Sequence, residues 1–385
     1  MASLYGGPKR TVGCGWLEHC LLLIAVLGLS ASSAAAATVG GVVDNTTPNA
    51  IHFFNADTDT AIGSVLLGLA STGKVGDCVI DSAQSRAFVT DFDYRVWVVD
   101  LNLGPPHLAL IKNKISIPNH GEDLSFTRSF LPLLPVGNFL LACDGSADED
   151  IAVIHPLLKT VVSTFDLGEP CNSVQACVDG SVLVTTTPTN EQYPTGSNSV
   201  RRLVINPLTG KLTDTGEVLP LVGEMPLAGG PNNVTCASNA KSGIVVTRAT
   251  HQITSFTIPG LTPVHTRTLS APSQGGVTLI NRAGTRVFNR QVTGEIDVFG
   301  FTSATGALSA TPLFTILGPV MNNNVFFGME QMALNPQGTK LYVSRVGGVD
   351  IFNPTTGAPL GAVSGLSAVD PTGICFREPG LLGLP

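Results

Sequence analysis

From residue 38 onward the chain alternates short runs rich in Val, Ile, Phe and Thr with clusters of Gly, Asn, Asp and Pro. Runs of this kind, bounded by turn residues, predict β-strands. No stretch after residue 37 places its apolar positions at helical spacing. The runs also recur in a fixed order. "KLYVSRVGGVDIFNPTTGAPLGAV" (340–363), "RVFNRQVTGEIDVFGFTSATGAL" (286–308) and "AFVTDFDYRVWVVDLNLG" (87–104) share one rhythm: a strand, a charged residue, a polar turn, a second strand and a turn with Gly. Aligned on it, the units fall at about 77–111, 121–167, 171–219, 231–269, 275–317 and 328–364. Repeats of roughly 40–50 residues mean propellers or solenoids. Residues 39–67 match only the later strands of a unit, and "PTGICF" (371–376) matches only the first strand of one. Joined, the two ends make a seventh unit and leave no open sheet edge. The expected fold is all-β: a seven-bladed β-propeller over 38–385, closed by sharing N- and C-terminal strands in one blade.

Composition agrees and narrows the partners. The 385 residues are 43% hydrophobic and 13% charged, against about 25% charged in an average soluble domain. Polarity therefore comes from Ser, Thr, Asn and turn residues. A net charge of −7, with no basic stripe, argues against nucleic acid, whose binders displace counterions with Lys and Arg. Residues 1–37 differ in kind: Lys9 and Arg10 precede an apolar run from Leu21 to Leu29 and the small-residue stretch "SASSAAAATVGG". That is the pattern of a secretory signal peptide, with an apolar core shorter than the ~20 residues that span a bilayer. A secreted or periplasmic monomer follows, with no membrane span after signal cleavage.

Export changes how cysteine is read. Cys14 and Cys20 fall in the signal, and Cys78, Cys143, Cys171, Cys177, Cys236 and Cys375 remain, an even number in an oxidising compartment. Cys143 ends the second strand of one unit and Cys171 precedes the first strand of the next. Alternating strand direction puts both on one face of neighbouring blades, so a 143–171 disulfide is expected. The other four lie on inner strands, where bridges and buried free thiols are equally compatible with the sequence. No metal site or cofactor is expected. There is no zinc-like Cys/His spacing, HExxH, GxSxG or phosphate-binding Gly loop, and the acidic turn "DGSADED" (144–150) is read as solvated.

Several stretches resemble known propellers. "LYVS…VDIFNPTTG" is similar to the YVTN repeats of secreted and surface-layer propellers. "SNSVRRLVINPLTGKLTDTGEV" (197–218), "GEIDVFGFTSATGALS" (294–309) and "NFLLACDGSADEDIAVI" (138–154) resemble the seven-bladed lactonase propellers. The resemblance implies a site at the channel mouth built from a His, Arg residues and a Glu on successive blades. His120 in "PNHGEDLSF" matches the His, and Asn289–Arg290 and Ser344–Arg345 match an Asn-Arg of the later blades. Cys171 and Asn172 stand where an Arg is implied, and Thr186 and Thr187 where a Glu is implied.

The charged residue that closes the second strand supplies the remaining candidates. Aligning the units gives Asp91, Asp144, Thr186, Arg248, Arg290 and Arg345 at one rim. Three consecutive arginines could grip a carboxylate or phosphate. The function expected is binding of a small anionic molecule or protein partner at one face of the channel, through Arg248, Arg290, Arg345, Asp91 and Asp144. The chain leans away from an enzyme. The alternative is a lactonase-type hydrolase of a sugar-acid lactone or similar small ester, with His120 as base or orienter.

Overall fold

Every regular element among the described residues is a β-strand. The computed structural model describes residues 38–46, 48–68, 75–81, 86–91, 93–101, 110–118, 123–127, 138–143, 150–186, 198–221, 231–247, 250–269, 277–291, 293–320 and 331–376. The expected signal peptide, His120, Asp144, Arg248 and the turn 144–149 lie outside them.

The strands follow the repeat seen in the sequence. The first blade has β1 (Val39–Asp44), β2 (Asn49–Asn55) and β3 (Thr60–Gly68); the second has β4 (Val75–Asp81), β5 (Arg86–Asp91), β6 (Arg95–Asp100) and β7 (Leu110–Ser116). The third has β8 (Asp123–Phe126), β9 (Leu140–Cys143), β10 (Asp150–His155) and β11 (Thr160–Asp166). The fourth has β12 (Cys171–Ala176), β13 (Ser181–Thr186), β14 (Ser199–Ile205) and β15 (Leu212–Pro220). The fifth has β16 (Pro231–Cys236), β17 (Ser242–Thr247), β18 (Gln252–Thr257) and β19 (Pro263–Thr268). The sixth has β20 (Thr278–Ile280), β21 (Arg286–Arg290), β22 (Glu295–Thr302), β23 (Ala307–Leu308) and β24 (Phe314–Leu317), the last two both pairing with β22. The seventh has β25 (Met332–Leu334), β26 (Leu341–Arg345), β27 (Gly348–Phe352) and β28 (Pro359–Ala362), and β29 (Pro371–Phe376) ends the series.

Burial grades outward along each blade. The second strands β1, β13 and β17 are buried at every residue, while the outermost β3 and β11 are mostly alternately exposed and half-buried. Apolar surface is removed from water between blades, and there are seven clusters for seven seams. Val43, Phe53, Ile80 and Val89 join the first blade to the second, and Val42, Phe54, Tyr342 and Ile351 join the seventh back to the first. Side chains at or just before the start of the second strand also reach the turn between the third and fourth strands of the next blade. Arg86 donates to Pro156 O at 3.3 Å, Ser242 to Ser303 O at 2.7 Å, Arg286 to Pro354 O at 2.8 Å, and Lys340 to Ala56 O at 2.9 Å. In the third blade the same place holds Phe139, whose ring covers Gly210; a Cβ there would lie 2.9 Å from the ring and would need φ near +71°. That position requires glycine.

The shared blade is present. β29 pairs with β1 as Gly40↔Phe376, Gly41↔Cys375, Val42↔Ile374 and Val43↔Gly373, so the C-terminal strand is innermost in the first blade. Cys375 is then bonded to Cys78 on β4, with Cα atoms 5.6 Å apart across 297 residues of sequence. Cys143 and Cys171 are bonded with Cα atoms 5.7 Å apart, and Cys177 is bonded to Cys236 at 6.0 Å. All three disulfides cross seams, joining blades one to two, three to four and four to five.

Removing residues 366–385 deletes β29 and exposes the edge of β1. The truncated protein should aggregate and lose its cooperative melt. Replacing only Cys78 and Cys375 by Ser should leave a folded ring, less stable by up to ~5 kcal/mol in the chain-entropy model for so long a loop. A truncation that melts like the full chain would refute the closure.

Candidate functional site

The innermost strands start at one mouth of the channel and end at the other. Second strands end at the mouth where the innermost ones start, so the expected charged rim belongs there.

The ladders show what each rim residue does. Lys340, just before β26, and Arg286, which opens β21, both follow the turn after the innermost strand, with Asn335 N bonded to Lys340 O and Asn281 N to Arg286 O. Counted from there, Arg345 is five residues along and Arg290 only four. Successive strand residues face opposite ways, so the two arginines point to opposite faces of their blades. Arg290 has no exposed surface. Its guanidinium donates to Gln331 O (3.1 Å), Gln331 Oε1 (3.2 Å), Ser344 Oγ (3.3 Å), Ser344 O (2.7 Å) and Pro319 O (3.2 Å), fastening the sixth blade to the seventh. Burial presses its pKa below the ordinary arginine value, and the Asp350 carboxylate partly offsets this. In the ladder Arg290 occupies the place of Cys143, which bonds to the next blade through sulfur. Arg345 donates to Asp350 Oδ1 at 2.7 Å and Val346 O at 3.0 Å. The convergent pair of guanidinium groups is therefore not formed: one staples two blades and the other pairs with a carboxylate.

Asp91 is also engaged. It accepts from Trp97 Nε1 at 2.6 Å, Arg95 Nε at 2.9 Å and Asp93 N at 2.9 Å. Burial outweighs these bonds and raises its pKa. Thr186 shares a 2.7 Å hydrogen bond with Ser199. The first blade's counterpart, missed in the sequence, is Asp44. Its Oδ1 accepts from Thr46 N (2.9 Å), Thr46 Oγ1 (2.7 Å) and Asp370 N (2.9 Å), and its Oδ2 from Val369 N (2.8 Å), with His52 Nε2 3.3 Å away. Burial opposes its ionisation, yet His52 and these donors hold it below the usual carboxylate range. Ser367 Oγ lies 3.3 Å from His52 Nδ1. The order Asp44–His52–Ser367 is that of an acyl-transfer triad, but the N–H groups of 369 and 370 are committed to Asp44 rather than free for an oxyanion. The three residues latch the loop that leads into β29.

Deeper in the same mouth, Asp77 on β4 and Asp123 on β8 meet; they are 0% and 3% exposed. Asp123 accepts from Val174 N at 2.8 Å and Leu124 N at 2.9 Å, and also bonds Ser173 and Asp77. Desolvation nevertheless pushes it up to about 7. Two buried carboxyls this close cannot both ionise without cost. Ser173 and Asn233 hold the same ladder place on the next two inner strands and accept from Val234 N (3.4 Å) and Thr278 N (3.3 Å). The carboxyl pair is thus part of a polar girdle around the channel wall.

Among the described residues, a cavity of about 260 Å³ opens at the opposite mouth, lined by the ends of five inner strands and the turns after them, including Gln175, Thr235, Leu279, Leu334, Phe376 and Arg282. Nothing in the sequence marked it, because each blade gives only a few ordinary residues. Among the described residues no group of three His, Cys, Asp or Glu could hold a metal ion.

No family model matches the sequence, and no curated protein matches it. Solved structures do. A functionally unknown protein from Desulfotomaculum acetoxidans superposes with a TM-score of 0.68 at 22% identity, over 89% of this chain and 99% of that one. A candidate 6-phosphogluconolactonase from Bacteroides fragilis gives 0.68 at 14%, over 90% and 99%. The periplasmic gluconolactonase of Pseudomonas aeruginosa gives 0.60 at 14%, over 90% and 99%. The chain has the fold of the lactonase-like seven-bladed propellers.

Two predictions test these roles. Arg290→Ala should lower stability by ~3 kcal/mol or more, because it strands several buried acceptors. Arg345→Ala should change it far less, and equal losses in denaturant unfolding would contradict the assignment. For Asp123, the folded pKa of about 7 stands above the ordinary value of 3.8. The folded state keeps a proton that the unfolded chain loses, so this group's contribution to stability falls as pH rises from about 4 to 7. The melting temperature of Asp123→Asn relative to wild type should therefore become more favourable between pH 4 and pH 8. A pH-independent difference would remove the account of a protonated, buried Asp123.

Proposed function

We propose that this protein is a non-catalytic binding propeller that takes a small molecule at the channel mouth where the inner strands end. The 260 Å³ cavity at that mouth carries this reading: a concave, partly apolar site with a few polar groups is the usual form of a small-molecule site. At the other mouth, the described candidate residues are engaged with protein groups. Export to a secreted or periplasmic location belongs to the same proposal. Three interblade disulfides support an oxidising compartment, in line with the expected signal peptide. A monomer without nucleic-acid partners is the form in which the site would work.

A second reading, hydrolysis of a small lactone or ester, draws on one observation. Asp123 is a channel-wall carboxyl that titrates at about 7 beside Asp77, suited to general acid–base work at neutral pH. Two of the structural neighbours are named for lactone chemistry. Equilibrium dialysis with gluconate, benzoate and octanoate, and a pH-stat assay with glucono-δ-lactone, separate the two. The binding reading expects at least one acid to bind, at least tenfold less tightly to Thr235→Trp, and no lactone turnover. If none binds, or Thr235→Trp binds as wild type does, that reading fails. Turnover that disappears in Asp123→Asn would replace it with the hydrolase.

A further inference from the structure

We infer that the molecule taken at this mouth is an amphipathic carboxylate, an apolar body of medium length carrying a single anionic head that Arg282 receives. The inference rests on the channel-mouth reading and adds the chemistry of its ligand.

The cavity is two-sided. The fourth and fifth blades mix the polar Gln175 and Thr235 with small or apolar residues such as Val178, whereas the sixth, seventh and first add the large apolar Leu279, Ile280, Leu334 and Phe376 beside the turn amides. All four of the latter are only half-buried. They end strands whose preceding residues are mostly sealed between blades. Apolar side chains left in contact with water gain when an apolar body covers them, so one wall favours a hydrocarbon or an aromatic ring.

Arg282 is the one charged side chain among the described residues of the lining. It sits on the turn after β20, and no carboxylate among the described residues pairs with it; only its backbone carbonyl is engaged, by Ser238 Oγ at 2.8 Å. The neighbouring amides cannot take its place. Asn281 Oδ1 accepts from Thr285 N (2.8 Å) and Arg286 N (3.0 Å), and Asn335 Oδ1 from Thr339 N (2.8 Å) and Lys340 N (3.0 Å), so both are held in their turns. A guanidinium presents paired donors that fit a carboxylate. Every other arginine whose side chain has been described has an internal acceptor, which sets Arg282 apart. The space limits size: about 260 Å³ is the share of roughly nine waters at ~30 Å³ each. An acid of roughly that many heavy atoms, octanoate for example, fits.

Titration calorimetry on the intact protein at low salt, with octanoate, hexanoate, octan-1-ol and gluconate, tests the inference. Octanoate should bind, and hexanoate should bind about sixteenfold more weakly, at about fourfold per methylene. Octan-1-ol should bind at least tenfold more weakly than octanoate. Arg282→Ala, on an exposed turn, should keep the wild-type melting temperature and bring octanoate down to the level of the alcohol. Added salt should weaken octanoate but not octan-1-ol. If gluconate binds and octanoate does not, or if Arg282→Ala holds octanoate as wild type does, the amphipathic anion is wrong while a ligand site at this mouth stands. If none of the four binds, both fall.

Discussion

A ring of sheets is only as strong as its weakest seam, and here one small contact recurs around it. The residue at the start of a blade's second strand reaches the outer turn of the next blade. Arg86, Ser242, Arg286 and Lys340 do so with a hydrogen bond to a carbonyl, and Phe139 with its ring over Gly210. Each bond contributes only ~1 kcal/mol. The contact fixes the angle between blades, and the apolar clusters then bury their surface at that angle. Lys340 makes the contact at the closing seam, where Tyr342 Oη also bonds Ala56 O (3.1 Å) and Asp59 Oδ1 (2.6 Å). The chain therefore closes by the rule that joins consecutive blades, with β29 supplying the missing strand.

The seams also explain why the described rim residues are engaged with protein groups. A polar side chain at the end of a second strand lies close to the next blade's inner strand. Burial there is costly unless every group finds a partner. The observed solutions differ from place to place: a disulfide from Cys143 and a guanidinium fan from Arg290 at second-strand ends, Asp123 at the start of an inner strand accepting from the next blade's Val174 N, and Asp44 accepting from the loop that leads into β29. Arg290, which reads as a ligand contact in a linear alignment, is a fastener of the ring.

The repeat, the strand content, the shared blade and the Cys143–Cys171 pair were legible because each depends on period and strand direction, and both can be counted along a chain. The orientation of Arg290 was not. "FNR" and "VSR" align by eye, but register is counted from the hairpin turn, and one residue of offset turns a side chain to the other face. The Cys78–Cys375 and Cys177–Cys236 bridges needed to know which inner strands are neighbours. Asp77 with Asp123, and His52 with Asp44 and Ser367, join residues from different strands or blades and follow no motif. The cavity was the least visible, since Gln175, Thr235, Leu279, Leu334 and Phe376 are ordinary strand residues.

Both mouths of the channel carry seam contacts. At one, polar side chains between blades such as Arg290 and Asp123 are matched with partners. At the other, the turns after the inner strands are tight and satisfy their own amides, as Asn281 and Asn335 do. That leaves Arg282 exposed on its turn, and Leu279 and Leu334, which pack against the apolar cluster between the sixth and seventh blades, only half-buried. A substitution at Arg282 costs the fold little, whereas a change at Arg290 or Asp123 disturbs a seam. A ligand site can be altered most freely at positions that carry no part of the scaffold, and at this mouth Arg282 is such a position, whereas Arg286 and Lys340 beside the same turns hold blades together.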